Sequence, residues 1–239
     1  MSVPPYPSLH HLPFPKRRQP LPEAYSRVYV EWMRKNRMGL TQTTSLSTKL
    51  ERWMHRRVAV DANRSEHPEK LVTLELGAGT GNHLSFEPHS VAYDVVEPMD
   101  ELYQAAPHSR IRHRFLDQNE IRGEGIYDRV ISIAVLEHIE DLPTLLNQSH
   151  KLLCKGGRFR AGIPSEGEWL WRQAWRNTTA KTFHRLYGLE YATLMAYEHV
   201  NTADEIRHEV EKTFGNCQIR YFGLGHHLSL YQFVEARKL

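Results

Sequence analysis

A chain of 239 residues, 40% hydrophobic and 25% charged, is long enough for one large domain with a core of its own, and no stretch approaches the roughly 20 apolar residues of a membrane helix. Two cysteines, Cys154 and Cys217, without metal-ligand spacing argue against a disulfide framework or a zinc site, and with an opening MSVPPYPSLH that lacks an export pattern they point to a reducing cytoplasm. The net charge of +3 is uneven: residues 1–60 carry eleven Lys and Arg against Glu23, Glu31 and Glu51, which marks either an acidic partner (a phosphorylated sugar, a lipid headgroup, RNA) or a solvated leader and helix face.

In chain order, seven of the thirteen prolines fall within residues 4–22, and that density predicts an extended or disordered leader, residues 1–24. Apolar residues then recur at helical spacing from Tyr25 to Met38 and from Ser47 to Val60, with Ser47 a plausible N-cap, so two helices precede the main sheet. A polar linker from Asp61 to Lys70 follows. The next hundred residues alternate β-rich runs with helical patterns, which predicts an α/β fold with a mostly parallel sheet. The strands are Leu71–Leu76, Val91–Glu97, Ile111–Leu116, Asp128–Val135 and Arg158–Ile163, and a helix from Leu142 to Leu153 ends at the marker Gly156-Gly157. From Pro164 to about residue 200 the alternation stops in a segment rich in Trp and Tyr, expected to be an acceptor-side lid, a small helical unit burying its own aromatics, or both. A helix from Thr202 to Phe214, capped by Asn201 or Thr202, and strands near Cys217–Phe222 and Leu228–Ala236 bring the sheet to seven strands in one domain, residues 25–239.

The strongest local signal is Leu74-Glu75-Leu76-Gly77-Ala78-Gly79-Thr80-Gly81-Asn82, a strand running into a glycine turn that should open a helix. Glycines at 77, 79 and 81 let a nucleoside press against bare backbone at the strand's end. Position 82, where a dinucleotide fingerprint wants its third glycine, is Asn, and Glu75 would repel a pyrophosphate while favouring the ammonium and sulfonium of S-adenosylmethionine (SAM). Glu97, in Val95-Val96-Glu97-Pro98-Met99 and twenty residues beyond Gly77, is placed to take both ribose hydroxyls, with Asp94 its nearest rival. Asp117-Gln118, closing the third strand, suit the adenine amino group. The fourth strand's end, Ala134-Val135, and His138 should pass beneath the methionine moiety.

Together, Glu75 to Gly81, Glu97, Asp117, the run Val135-Leu136-Glu137-His138-Ile139 and Gly156-Gly157 resemble the class I SAM-dependent methyltransferases, particularly the type 11 domain group. The resemblance covers about residues 70 to 165. It implies SAM as cofactor, S-adenosylhomocysteine (SAH) as product, and an antiparallel seventh strand between the fifth and sixth. The tail from Glu198-His199-Val200-Asn201 and the aromatic segment resemble, more loosely, sugar- and lipopolysaccharide-modifying methyltransferases, which suggests a small polar or glycan-type acceptor.

Ala134-Val135 and Ile163-Pro164 stand where metal-dependent O-methyltransferases carry acidic ligands, so no catalytic metal is expected. A base, if the acceptor needs one, is sought among His138, His184, His199 and Glu166. His138 and His199 are the preferred catalytic residues, although a packing role for the first and a capping or lid role for the second also fit. A nucleic-acid methyltransferase, motivated by the basic N-terminal segment, lacks the Asn/Asp-Pro-Pro-Tyr motif and any RNA-binding module. A non-catalytic SAM binder and a nicotinamide oxidoreductase are the further alternatives.

Overall fold

The computed structural model describes residues 7–37 and 45–239, so the first six residues of the leader and the Met38 end of the first expected helix lie outside the described residues. Seven strands form one sheet in the order β3-β2-β1-β4-β5-β7-β6: β1 (Val72–Leu76), β2 (Ala92–Val96), β3 (His113–Phe115), β4 (Tyr127–Ile133), β5 (Leu153–Pro164), β6 (Cys217–Gly223) and β7 (Ser229–Arg237). All neighbours from β3 to β5 pair in parallel, while β7 pairs antiparallel with both β5 and β6. The chain order reverses between β1 and β4, which opens a crevice at the carboxyl ends of those strands, where open α/β sheets take their ligands.

The two sheet faces are covered by different helices. On one face α4 (Leu142–Leu152) and α8 (Ala203–Phe214) press Leu142, Leu146, Ile206, Val210 and Phe214 against Leu74, Val130, Phe159 and Val234. On the other, α2 (Ser45–Asn63) sets Val58 and Ala62 against Tyr93, Val95, Ile131 and Phe233. A third cluster joins α1 (Glu23–Arg37) to the aromatic segment, which folds as α5 (Trp169–Asn177), α6 (Thr179–Tyr187) and α7 (Tyr191–Glu198): Tyr25 and Trp32 pack on Phe183, Tyr191 and Leu194. The segment thus has a core of its own and is fastened to the N-terminal helix. Under α2, Arg129 donates from Nη1 and Nη2 to the two Glu87 oxygens at 2.8 Å each, both side chains almost wholly buried. A buried fork of this kind satisfies both charges, whereas one partner alone would be a liability.

Four expectations are corrected. Ser47 lies inside α2, which already starts at Ser45. Gly156-Gly157 does not end α4: that helix stops at Leu152, and the register jumps from Tyr127 opposite Leu153 to Arg129 opposite Arg158, so the glycines sit in a bulge within a longer β5. The glycine turn opens only a four-residue 3-10 turn, Asn82–Ser85, because Pro88 and the start of β2 at Ala92 follow too soon for an α-helix. The proline-rich leader is irregular over residues 7–22 but is not loose. Lys16 is buried and donates to the Val200 carbonyl (2.7 Å) and to Glu205, while Arg18 donates to the carbonyls of His138 (2.6 Å), Tyr197 (2.7 Å) and Glu198 (3.1 Å). Part of the basic N-terminal charge is therefore engaged within the molecule. Thr202, not Asn201, caps α8, through a reciprocal bond pair with Glu205.

Candidate active site

A cavity of about 1240 Å³ opens at the carboxyl ends of β1, β2 and β4 and reaches under α5 and α7. Its walls include Glu75, Gly77, Ala78, Gly79, Glu97, Pro98, Met99, Asp117, Gln118, Ala134, Val135, His138 and His199; Gly81, of the expected glycines, is not among them. Each glycine of the turn has positive φ, but for different reasons of space. A Cβ on Gly77 would lie 2.5 Å from Val135 Cγ2, and one on Gly81 would lie 2.7 Å from Pro107 Cδ, so these two permit close packing. At Gly79 a Cβ would meet nothing within 4 Å, and this is the position whose bare backbone faces open space.

Glu97 ties the turn to the end of β2. Its Oε2 accepts from Gly79 N–H (2.7 Å) and its Oε1 from Met99 N–H (2.8 Å). A carboxylate has about four acceptor lobes, so one on each oxygen remains for a diol. Asp94 is occupied elsewhere by Arg112, His113 and Tyr127, which removes it as a rival. Asp117 caps Asn119 N–H (2.7 Å), and the Gln118 amide is engaged with Ser149 Oγ (2.9 Å). Glu75 is not the standing negative charge expected of it. Burial pushes its carboxyl up to about 8 even though Tyr93 donates to it at 2.8 Å, so near neutral pH it is mostly protonated. Ala134 holds φ +53, rare for a residue with a Cβ, and donates its N–H to the Gly162 carbonyl (2.8 Å).

On the far side of the cavity, the 3-10 turn Leu136–His138 and the residues after α7 come together. His138 and His199 meet edge to face with ring centroids 4.9 Å apart. His138 Nδ1 lies 2.8 Å from the Glu198 carbonyl, and His199 Nδ1 lies 2.8 Å from Glu166 Oε2, which also accepts from Trp171 Nε1 (2.8 Å). Burial acts to raise the Glu166 carboxyl, but the bonds from His199 and Trp171 prevail and hold it below its usual range; conversely burial acts to lower His199, and Glu166 prevails and raises it. Glu137 faces the same group, and burial pushes its carboxyl up to about 7. Of the other bases considered, His184 is on the exposed side of α6. Glu137 and Glu198, each visible in the sequence only as part of a longer run, were given no place here; Glu198 accepts from Tyr29. Adjacency to His138 in a turn following a parallel strand was the available signal for Glu137; Glu198 depends on a contact with α1 that no local pattern announces.

The family described as methyltransferase domain matches residues 46–213, well over half of the chain. The chain belongs to that family. It is a SAM-dependent methyltransferase of the class I, Rossmann-like fold, an enzyme with SAM as its cofactor. No curated protein sequence matches this methyltransferase significantly. Its fold is similar to that of a SAM-dependent methyltransferase of Thermotoga maritima described as a possible histamine N-methyltransferase, at a TM-score of 0.59 and 14% identity over 90% of this chain and 99% of that one. It is also similar to a possible exported protein of Bordetella parapertussis (TM-score 0.60, 13% identity, 87% and 78% covered) and to phosphoethanolamine N-methyltransferase 2 of Haemonchus contortus in complex with SAM (TM-score 0.55, 12% identity, 83% and 58% covered). Among the described residues, no helix of the methyltransferase is long and apolar enough to cross a membrane.

Proposed function

We propose that this methyltransferase moves the methyl group of SAM to a hydroxyl or amine of a small polar acceptor, of sugar or glycan-precursor type, lodged between the glycine turn and α5–α7. In this reading Gly77, Ala78, Gly79 and Gly81 shape the nucleoside cradle, Glu97 takes the ribose hydroxyls with its spare lobes, and Pro98 and Met99 flank the adenine. Asp117 takes the adenine amino group; Gln118 lines the same wall with its amide already bonded to Ser149. Ala134, Val135 and His138 lie beneath the methionine moiety, and Glu75 ionises to meet its ammonium.

The observation that carries the reading is continuity: one cavity joins the Glu97-tied glycine turn to an acceptor wall of Trp171, Trp175, Tyr191, His138 and His199. The rings offer flat faces to a sugar, and His138 and His199 are the groups that act on the acceptor. Three carboxyl groups, Glu137, Glu166 and Glu198, surround those two imidazoles and oppose an anionic acceptor such as a nucleic-acid backbone. Cys154 and Cys217, both free thiols, fit the cytoplasm as the place of action. The test is transfer of labelled methyl from SAM to a panel of amino sugars, nucleotide sugars and small amines, alongside SAH calorimetry. Labelled product in the panel supports the acceptor class; absence of SAH binding by the intact chain sinks the reading altogether.

A further inference from the structure

The acceptor wall contains more than two histidines able to exchange protons. Glu137, His138 and His199 each present one ligand atom, and the three atoms lie within 4.8 Å of one another. An ion held at about 2.1 Å from each would draw them to roughly 3.4 Å apart, a movement of the order of an ångström. We infer that these residues bind a divalent transition cation of the zinc class, and that its open position receives the acceptor's oxygen or nitrogen.

The orientation of the rings supports this. A backbone carbonyl can only accept, so the 2.8 Å contact from His138 Nδ1 to the Glu198 carbonyl places the proton on Nδ1 and a lone pair on Nε2. Glu166 does the same for His199, and Trp171 holds Glu166 in turn. An imidazole that gives its second N–H to a carbonyl or carboxylate is the arrangement that orients histidine ligands in metal sites. Glu137 supplies a separate observation. Its side chain is 2% exposed, and among the described residues its Oε2 has no hydrogen-bond partner. A buried carboxylate oxygen without a donor is costly, and a cation would satisfy it. Two nitrogens and a carboxylate oxygen suit zinc, iron, manganese or cobalt better than calcium or magnesium, and three protein ligands leave a position for substrate.

The ends of β4 and β5, Ala134-Val135 and Ile163-Pro164, lack the ligands that metal-dependent relatives carry there. The cluster lies one turn further along and draws its third member, His199, from beyond α7. A second group, Glu168, His226 and His227, also converges, but Arg207 Nη2 lies 2.5 Å from His226 Nε2 and already supplies a fixed positive charge.

The cation site stands on these residues alone; its use in methyl transfer rests on the function proposed above. The test is a cobalt titration of tag-free, chelator-treated full-length protein carrying His226→Gln and His227→Gln, with SAH calorimetry on every variant as the control for folding. The expected result is one Co²⁺ per chain with the visible absorption of a low-coordinate site. Glu166→Gln should weaken it about 10–100-fold, and Glu137→Gln or His199→Ala should weaken it further, while SAH still binds. Absence of stoichiometric cobalt binding, or equal binding in Glu137→Gln and His199→Ala, overturns the site and leaves the SAM reading intact if SAH binds. Cobalt binding without SAH binding would retain the site and overturn that reading.

Discussion

Gly77 and Gly79 stand two residues apart in the same turn, with φ +67 and +55, yet alanine should act differently at each. At either position a Cβ in left-handed backbone costs about 1–2 kcal/mol. At Gly77 the added carbon would also lie 2.5 and 2.9 Å from the two Val135 methyls, and overpacking of that kind adds about 1–3 kcal/mol. The total for Gly77→Ala is about 2–5 kcal/mol. With about 2–4 °C per kcal/mol for a chain of this size, its melting temperature should fall by roughly 4–20 °C, against roughly 2–8 °C for Gly79→Ala. Binding should show the reverse emphasis. Gly79 faces open cavity, so under the proposed cradle its new methyl would intrude on the nucleoside, and SAH affinity should drop about tenfold or more, equivalent to at least about 1.4 kcal/mol. Differential scanning fluorimetry and SAH calorimetry on the two variants, with Val135→Ala added to Gly77→Ala, separate the effects. Equal thermal losses, or no recovery from Val135→Ala, would refute the packing account of Gly77; wild-type SAH affinity in Gly79→Ala would refute the cradle.

Glu97→Ala removes two charge-assisted bonds to the turn and both spare lobes; at about 1.5–3 kcal/mol for a bond to a charged group, SAH affinity should fall at least a hundredfold by calorimetry, and a change under threefold would dismiss the ribose assignment. Glu75 is raised to about 8 in the fold from 4.5, so the native state keeps a proton that the unfolded chain has released. Its contribution is whole below about 4.5 and declines as pH rises toward 8. Glu75→Gln should flatten the fall in urea midpoint across that window, and an unchanged profile would count against the burial assigned to it. Glu87 behaves oppositely. Burial acts to raise its carboxyl, but bonds from His83 and Arg129 win and hold it at about 2, so its contribution is present above 4.5 and lost as pH drops toward 2. Glu87→Gln removes the bidentate partner of Arg129 and leaves Asp61, 3.0 Å away, as its remaining counter-charge; it should cost about 1–3 kcal/mol in urea unfolding at pH 7, with a smaller deficit near pH 2.

The strands were legible because each parallel strand is a short apolar run that sequence shows directly; their order in the sheet was not, apart from the place of the seventh strand, which the family resemblance implied. The glycine turn and Glu97 could be picked out because both sit at strand ends. Register was less legible. Gly156-Gly157 reads as a helix stop from composition, and only pairing with β4 reveals a bulge. The charge on Glu75 was misread because sequence shows the residue but not how completely the fold buries it, a cost the bond from Tyr93 only partly offsets. The anchoring of the leader was invisible for a different reason: Lys16 and Arg18 find partners more than a hundred residues away, at Glu140, Val200 and Glu205, and proline density speaks only of local hydrogen bonding. His138 and His199 were chosen separately and meet in space, whereas Glu137 and Glu198 entered with them because the turn after β4 lies against the end of α7.

The guanidinium of Arg18 holds together carbonyls from two distant stretches of chain, the His138 turn and the last residues of α7. During synthesis the ribosome releases residues 71–164, enough for the central parallel strands, well before residue 198 has emerged. Residue 18 must therefore wait, or move back, to clasp a wall made much later, and closure of that side of the cavity becomes a late event on a sheet already formed.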